Sequence, residues 1–286
     1  MTRKKNISIR RNKKSAISEG LMNKELYEQL RGEKKFFLIA GPCVIESEEL
    51  VMETAAELNR LAEQRDLILI FKSSWKKGNR TSVDSYTGPG LEKGLQILGK
   101  VKKEFRLPIL TDIHESNEIE AVCKVADILQ IPAFLSRQTD LLQAAGKSSK
   151  IVNIKKGQFM APEDMKLAAE KVVSSGNEQI LLTERGSSFG YHNLVVDFRS
   201  FAVMQDMGYP VIYDVTHSLQ RPSEGKKSGG TPQFAEMMAK AAIATGMVQG
   251  LFIETHPEPS RALSDAGTML PLKSMGRLLD ECLKKL

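Results

Sequence analysis

Two sets of side chains in this sequence have the composition of reactive groups. The first is cationic: Lys72, Lys77, Arg80, Arg137, Lys155, Lys156 and Arg185, each close to the end of a short apolar run. Several fixed Lys and Arg donors suit phosphate and carboxylate groups, which Arg grips through a bidentate fork. The second set is Cys43, His217, Glu254 and Asp265: one thiol, one imidazole and two carboxylates. Mixed S/N/O donors of this kind can share one divalent metal ion. The same four also admit a plain reading, with Cys43 a buried thiol and Asp265 a loop cap, and spacing alone leaves both open. Asp112, His114 and Gln130 add a carboxylate, an imidazole and an amide between the two sets.

The elements that must position these groups repeat. From residue 36 onward, apolar or β-branched runs alternate with amphipathic segments. The strand-like runs are 36–41, 67–73, 108–113, 126–131, 151–155, 179–184, 211–215 and 250–254, each short and followed by turn residues, as buried parallel strands are. Between the first two, Ser47 is an N-cap candidate, and Val51, Ala55, Leu58 and Ala62 mark one helical face. Pro162, Glu163 and Asp164 open another helix, which Gly176–Asn177 stops. Eight such units without a long linker predict an α/β fold, a (β/α)8 TIM barrel over 36–286. An open doubly wound sheet is the competitor, but Gly41-Pro42-Cys43 is not its glycine-rich phosphate turn. Barrel enzymes build their sites at the C-terminal strand ends. Here those ends supply, in order, Cys43, Lys72, Asp112 with His114, Gln130, Lys155, Arg185, His217 and Glu254. In a closed barrel the first, seventh and eighth strands are neighbours, which would gather the second set.

Composition narrows the rest. The net charge of +6 over 286 residues is a property of the tail: residues 1–14 hold Arg3, Lys4, Lys5, Arg10, Arg11, Lys13 and Lys14 and no acid. Residues 1–35 therefore read as a basic, partly disordered N-terminal extension, its part from about 16 packing over the barrel bottom; no nucleic-acid partner is expected. No run of about 18 apolar residues and no secretory leader is found, so no membrane partner is expected. Three widely spaced cysteines fit a reducing, cytoplasmic location. Cys123 and Cys282 read as packing thiols, His192 as a loop residue, and His256 as a brace for the loop after the last strand. Residues 221–232, rich in glycine and charge, read as a lid.

Several motifs occur together and in order: Gly41-Pro42-Cys43-Val44-Ile45-Glu46-Ser47, Phe71-Lys72-Ser73-Ser74, Asn79-Arg80-Thr81-Ser82, Thr111-Asp112-Ile113-His114-Glu115, Gln130-Ile131-Pro132-Ala133, Arg137-Gln138-Thr139-Asp140, Asn153-Ile154-Lys155-Lys156, Phe189-Gly190-Tyr191, Asp214-Val215-Thr216-His217 and Phe252-Ile253-Glu254-Thr255-His256-Pro257. From about residue 36 the chain resembles the 3-deoxy-D-manno-octulosonate 8-phosphate synthases. The resemblance implies condensation of phosphoenolpyruvate with D-arabinose 5-phosphate and water, releasing phosphate, for lipopolysaccharide synthesis. It implies that Lys155 and Arg185 hold phosphoenolpyruvate, assisted by Lys77 and the Ala133 backbone, with Lys72 and Gln130 as further substrate-binding candidates. Asn79, Arg80 and Thr81 would receive the aldose phosphate, with Thr81 where the family usually has Ser. Arg137 would reach a neighbouring subunit's sugar phosphate in a homotetramer. The family's metal-dependent members carry Cys in the first motif, so Cys43 implies one divalent ion on Cys43, His217, Glu254 and Asp265: zinc or ferrous iron, with manganese or cobalt as substitutes. Asp112, His114, Lys72, Lys155 and His217 are the candidate catalytic groups. Three alternatives remain at this point: a heptulosonate 7-phosphate synthase using erythrose 4-phosphate, disfavoured by Asn79 where that family has Pro; a Schiff-base aldolase on Lys72 or Lys155; and a sugar-phosphate-binding barrel without catalysis.

Overall fold

The computed structural model describes residues 23–32, 36–80, 82–222 and 229–284. Eight parallel strands close into a barrel: β1 (Phe37–Gly41), β2 (Ile68–Lys72), β3 (Ile109–Asp112), β4 (Ile128–Ile131), β5 (Ile151–Lys155), β6 (Ile180–Glu184), β7 (Val211–Asp214) and β8 (Gly250–His256). Each pairs with its sequence neighbour, and β1 pairs with β8 from Phe37↔Gly250 to Gly41↔Glu254. The predicted (β/α)8 barrel is therefore the fold, with strand ends within two residues of those read from sequence. Ser47 caps helix Glu48–Glu63 by accepting the Leu50 N–H, and Val51, Ala55, Leu58 and Ala62 lie on its buried face. Among the described residues, no helix is long and apolar enough to cross a membrane.

Strand alternation sorts the side chains into an inward and an outward set. Outward residues such as Leu38, Leu69, Ile109, Leu129, Val152 and Leu182 pack under the helices in one continuous core. The inward set changes character with height. Its lower layers are apolar: Phe37, Ile39, Ile70, Leu110, Ile128, Ile151, Leu181, Ile212 and Phe252 form one cluster. Tyr27 and Leu30, from a helix over residues 23–31, close this cluster from below. The Tyr27 hydroxyl donates to the Ile180 carbonyl at 3.2 Å. Two residues further along the strands, the inward positions become Lys72, Asp112, Gln130, Asn153, Thr183, Asp214 and Glu254, all buried. The barrel is thus plugged at the bottom and polar at the top.

Candidate active site

At the C-terminal strand ends a cavity of about 1090 Å³ opens, and Lys72, Lys77, Asn79, Arg80, Asp112, His114, Gln130, Ala133, Lys155, Arg185, His217 and Asp265 all line it. Cys43 and Glu254 lie just beneath, each about 1% exposed. Gly41 lets β1 approach β2 there: a Cβ on it would stand 2.0 Å from the Lys72 carbonyl oxygen.

The expected metal set comes together in graded fashion. One donor atom from each of Cys43, Glu254 and Asp265 lies within 4.8 Å of the others. Cys43 Sγ is 3.0 Å from Asp265 Oδ2 and 3.1 Å from Ser264 Oγ. His217 Nε2 stands at the edge of this trio, 3.5 Å from Glu254 Oε2 and 3.9 Å from Asp265 Oδ2. Its other ring nitrogen lies 2.8 Å from Asp214, the carboxylate–imidazole arrangement that presents Nε2 to a cation. Glu254 Oε2 is buried without a hydrogen-bond partner. Asp265 sits at φ 47°, a left-handed conformation that costs a non-glycine residue energy and here aims its carboxylate at Cys43. Burial, reinforced by the Asp265 and Glu254 carboxylates, pushes the Cys43 thiol up. A thiol and two carboxylates gathered with one buried oxygen free of hydrogen bonds make a donor set that suits a divalent cation.

Lysines balance the buried carboxylates. Lys72 Nζ is 2.8 Å from Glu254 Oε1 and donates to the Cys43 carbonyl at 3.1 Å. Lys155 pairs with Asp214, and its Nζ lies 4.0 Å above the centre of the Phe252 ring. Burial opposes the charge on both members of such pairs. For Glu254 it is outweighed by His217, Lys72, Lys77 and Lys155, which hold the carboxyl well below its usual range. For Lys155 burial prevails over Asp214, and the ammonium is lowered. A hydrogen-bonded band crosses the inner wall: Thr183 donates to Asn153 (2.7 Å), Asn153 to Gln130 (3.0 Å) and Gln130 to Asp112 Oδ1 (2.5 Å). Ser74 binds the other Asp112 oxygen. Burial alone would raise the Asp112 carboxyl, but Lys72, Lys77, His114 and the Ser74 hydroxyl hold it far below normal. Asp112 is consequently an ionised acceptor. Burial, the largest influence, lowers His114, whose Nδ1 is buried without a hydrogen-bond partner and lies 3.8 Å from Glu118 Oε2.

On the rim, Arg80 donates to Ser264 Oγ at 2.6 Å and to the Leu263 carbonyl at 3.1 Å. Arg185 donates from one terminal nitrogen to Gln220 Oε1 at 2.9 Å, while Nη1 is buried and unpartnered. Two expected residues stand apart. Arg137 lies outside this mouth, in a separate depression of about 510 Å³ with Met160 and Lys171. Lys156, grouped with the mouth cations by sequence, follows strand phase and points away from the cavity. Thr81, the tail 1–22 and the centre of the expected lid, 223–228, lie outside the described residues. The lid's flanks, Gln220–Arg221 and Gly229–Gly230, pair as a short antiparallel ladder. His256 does brace its loop, accepting the Glu258 N–H at 2.9 Å. Asp214, Ser264 and Ser74 are the site residues that sequence reasoning passed over. Asp214 had a signal, the inward phase of β7; Ser264 had none, since it meets Cys43 across 221 residues of chain.

A closed barrel with lysines, arginines, a thiol and carboxylates converging on one mouth defines a barrel enzyme for small anionic substrates. A sequence model of the DAHP synthetase I family matches residues 13–285, and the chain belongs to that family. It is 55% identical over 245 residues to the 2-dehydro-3-deoxyphosphooctonate aldolase of Syntrophotalea carbinolica, covering 85% of this chain and 88% of the relative. The proteins of the same name from Desulfatibacillum aliphaticivorans and Stenotrophomonas maltophilia are 53% identical over 247 residues and 51% over 249, covering 86% and 87% of this chain and 90% of each relative.

Proposed function

We propose that this enzyme condenses phosphoenolpyruvate with D-arabinose 5-phosphate and water, giving 3-deoxy-D-manno-octulosonate 8-phosphate and phosphate. The observation that carries the reading is the mouth itself, where Lys155, Arg185 with its unpartnered Nη1, and Lys77 converge above Cys43, Glu254 and Asp265. The names of the relatives favour the eight-carbon product over the heptulosonate alternative. In this reading Lys155 and Arg185, with Lys72, Lys77, Gln130 and the Ala133 backbone, hold phosphoenolpyruvate. Asn79, Arg80 and Thr81 hold the aldose phosphate, which draws Arg80 off Ser264.

Two anions repel, and fixed cations that bind both supply proximity and stabilise oxyanions as they form. The enol C3 attacks the sugar aldehyde, water adds at C2, and the C2–O bond to phosphate breaks. Asp112, ionised, and His114 are placed to orient or accept protons from the water and the nascent hydroxyl. Cys43, His217, Glu254 and Asp265 would hold one divalent ion, zinc or ferrous iron, with manganese or cobalt as substitutes. Such an ion, when bound, supplies Lewis acidity toward the aldehyde or the water. The reading extends to a cytoplasmic homotetramer in lipopolysaccharide synthesis, in which Arg137 serves the neighbouring subunit's mouth. Phosphate release from phosphoenolpyruvate, run side by side with arabinose 5-phosphate and erythrose 4-phosphate, tests it. Release with the five-carbon sugar is expected; preference for the four-carbon sugar would overturn it, and binding without release would leave a non-catalytic barrel. Chelation should abolish turnover and divalent ions restore it, whereas full activity in a metal-free sample would remove the ion from the scheme.

A further inference from the structure

Lys155 and Lys156 are neighbours in sequence and opposites in place. Lys155 turns into the barrel mouth; Lys156 is 1% exposed and sits behind the wall, among the turns that follow β5 and β6. Its Nζ donates to Ser187 Oγ at 2.8 Å and to the Met160 carbonyl at 3.3 Å, and lies 3.4 Å from Glu184 Oε1. That same Glu184 oxygen accepts the backbone N–H groups of Arg185 at 2.9 Å and Gly186 at 2.6 Å. Gly186 stands at φ 89°, in the left-handed region that glycine adopts without strain, immediately after Arg185, which lines the mouth and whose Nη1 is buried without a hydrogen-bond partner. The turn at 157–160 is held in turn on both sides. Ser188 N–H donates to the Gln158 carbonyl at 2.8 Å, and Ser136 Oγ, 3.0 Å from the Met160 sulfur, donates to the Ala133 carbonyl at 2.8 Å.

We propose that the buried Lys156–Glu184 pair is a positioning device for the phosphoenolpyruvate side of the site. It fixes the backbone from which Arg185 extends and joins that backbone to the turns bearing Met160 and Ala133, without touching substrate. The inference rests on the reading that Arg185 holds phosphoenolpyruvate. A buried ion pair is by itself a weak argument for stability, because well-packed apolar residues of similar volume are often as stable. What an apolar pair cannot do is hold two N–H groups, a hydroxyl and a carbonyl from two segments at one point. A guanidinium displaced by about 1 Å loses on the order of a hundredfold in rate, so fixing its base matters to the reaction.

The test is the double variant Lys156→Met/Glu184→Gln, which removes both buried charges together. The KM for phosphoenolpyruvate should rise by about tenfold or more while that for the aldose phosphate stays within about twofold, with the thermal midpoint near the parent's. Both KM values unchanged, or both rising together, would overturn the proposal. Should the double variant not fold, Ser187→Ala decides. It keeps both charges and should raise the phosphoenolpyruvate KM alone, by a few-fold; no change would refute the device. Arg185→Ala separates the premise from the inference. If it leaves the phosphoenolpyruvate KM unchanged, the assignment of Arg185 falls and the device falls with it. If it raises that KM and the pair variants do not, only the device falls.

Discussion

The lower and upper halves of the barrel interior are built on the same strands, from side chains in the same inward phase, yet they solve opposite problems. Ile70 and Lys72 on β2, Leu110 and Asp112 on β3, and Phe252 and Glu254 on β8 are each two residues apart. The lower member of each pair belongs to a dry cluster capped by Tyr27 and Leu30. The upper member carries a charge, and for Asp112 and Glu254 the neighbouring cations outweigh the penalty of burial. Close-packed apolar layers give the lower half its rigidity, and the upper half uses that rigidity to hold buried ions and idle donors where substrates arrive. The fold concentrates its apolar packing in one layer and its paired charges in the next.

Substitutions that strike the two layers should separate stability from chemistry. Lys72→Met is expected to have the largest effect, because it leaves Glu254 buried without its 2.8 Å partner. Losing one member of a buried pair costs about 3–5 kcal/mol, to be read from urea unfolding, and turnover should fall with it. A metal bound at Glu254 would soften the loss, so repeating the titration with added zinc sharpens the comparison. One layer down, Leu181→Ala should cost about 2–5 kcal/mol through the cavity it leaves, with the kcat/KM of the folded enzyme nearly unchanged. A large catalytic loss without loss of stability at that position would break the division between the layers.

Acid should distinguish the layers as well. The Asp112 carboxyl is lower in the folded state than its ordinary value of about 3.9. Its contribution is therefore fully present above that ordinary value and is lost as the pH falls below it, toward the folded-state value. The stability gap between the parent and Asp112→Asn should stay constant from about pH 7 to 5 and narrow below about pH 4. Urea midpoints across that range check it, and a gap that widens in acid would show that Asp112 is not held ionised. The smallest effect belongs to the plug: Tyr27→Phe removes one hydrogen bond to Ile180 and should cost about 0.5–1.5 kcal/mol, with no change in KM for either substrate.

The sequence made the strands legible because buried parallel strands are short apolar runs closed by turn residues, and β5 was read to the residue. The mouth was legible for a related reason: each strand ended on a residue that a merely structural barrel would not need. Reading ends rather than phases is what misplaced Lys156, since the residue after Lys155 must face the opposite way. Phase would also have found Asp214, two residues beyond Ile212 on the inward side of β7. Ser264 and the Arg80 contact to it were beyond reach, because they depend on how the loop after β8 folds back over Cys43. The hairpin Ser187–Gly190 with Asn193–Val195 was likewise unread, its exposed residues giving no apolar alternation to follow.

In the proposed reaction this mouth joins two phosphorylated substrates by breaking the C2–O bond of phosphoenolpyruvate. Phosphoenolpyruvate carrying oxygen-18 at the bridging position between C2 and phosphorus tests that most directly, with arabinose 5-phosphate as the acceptor. The label should leave with the released phosphate, and the eight-carbon sugar acid should carry none from this source. Unlabelled phosphate would mean cleavage at phosphorus, and would contradict it.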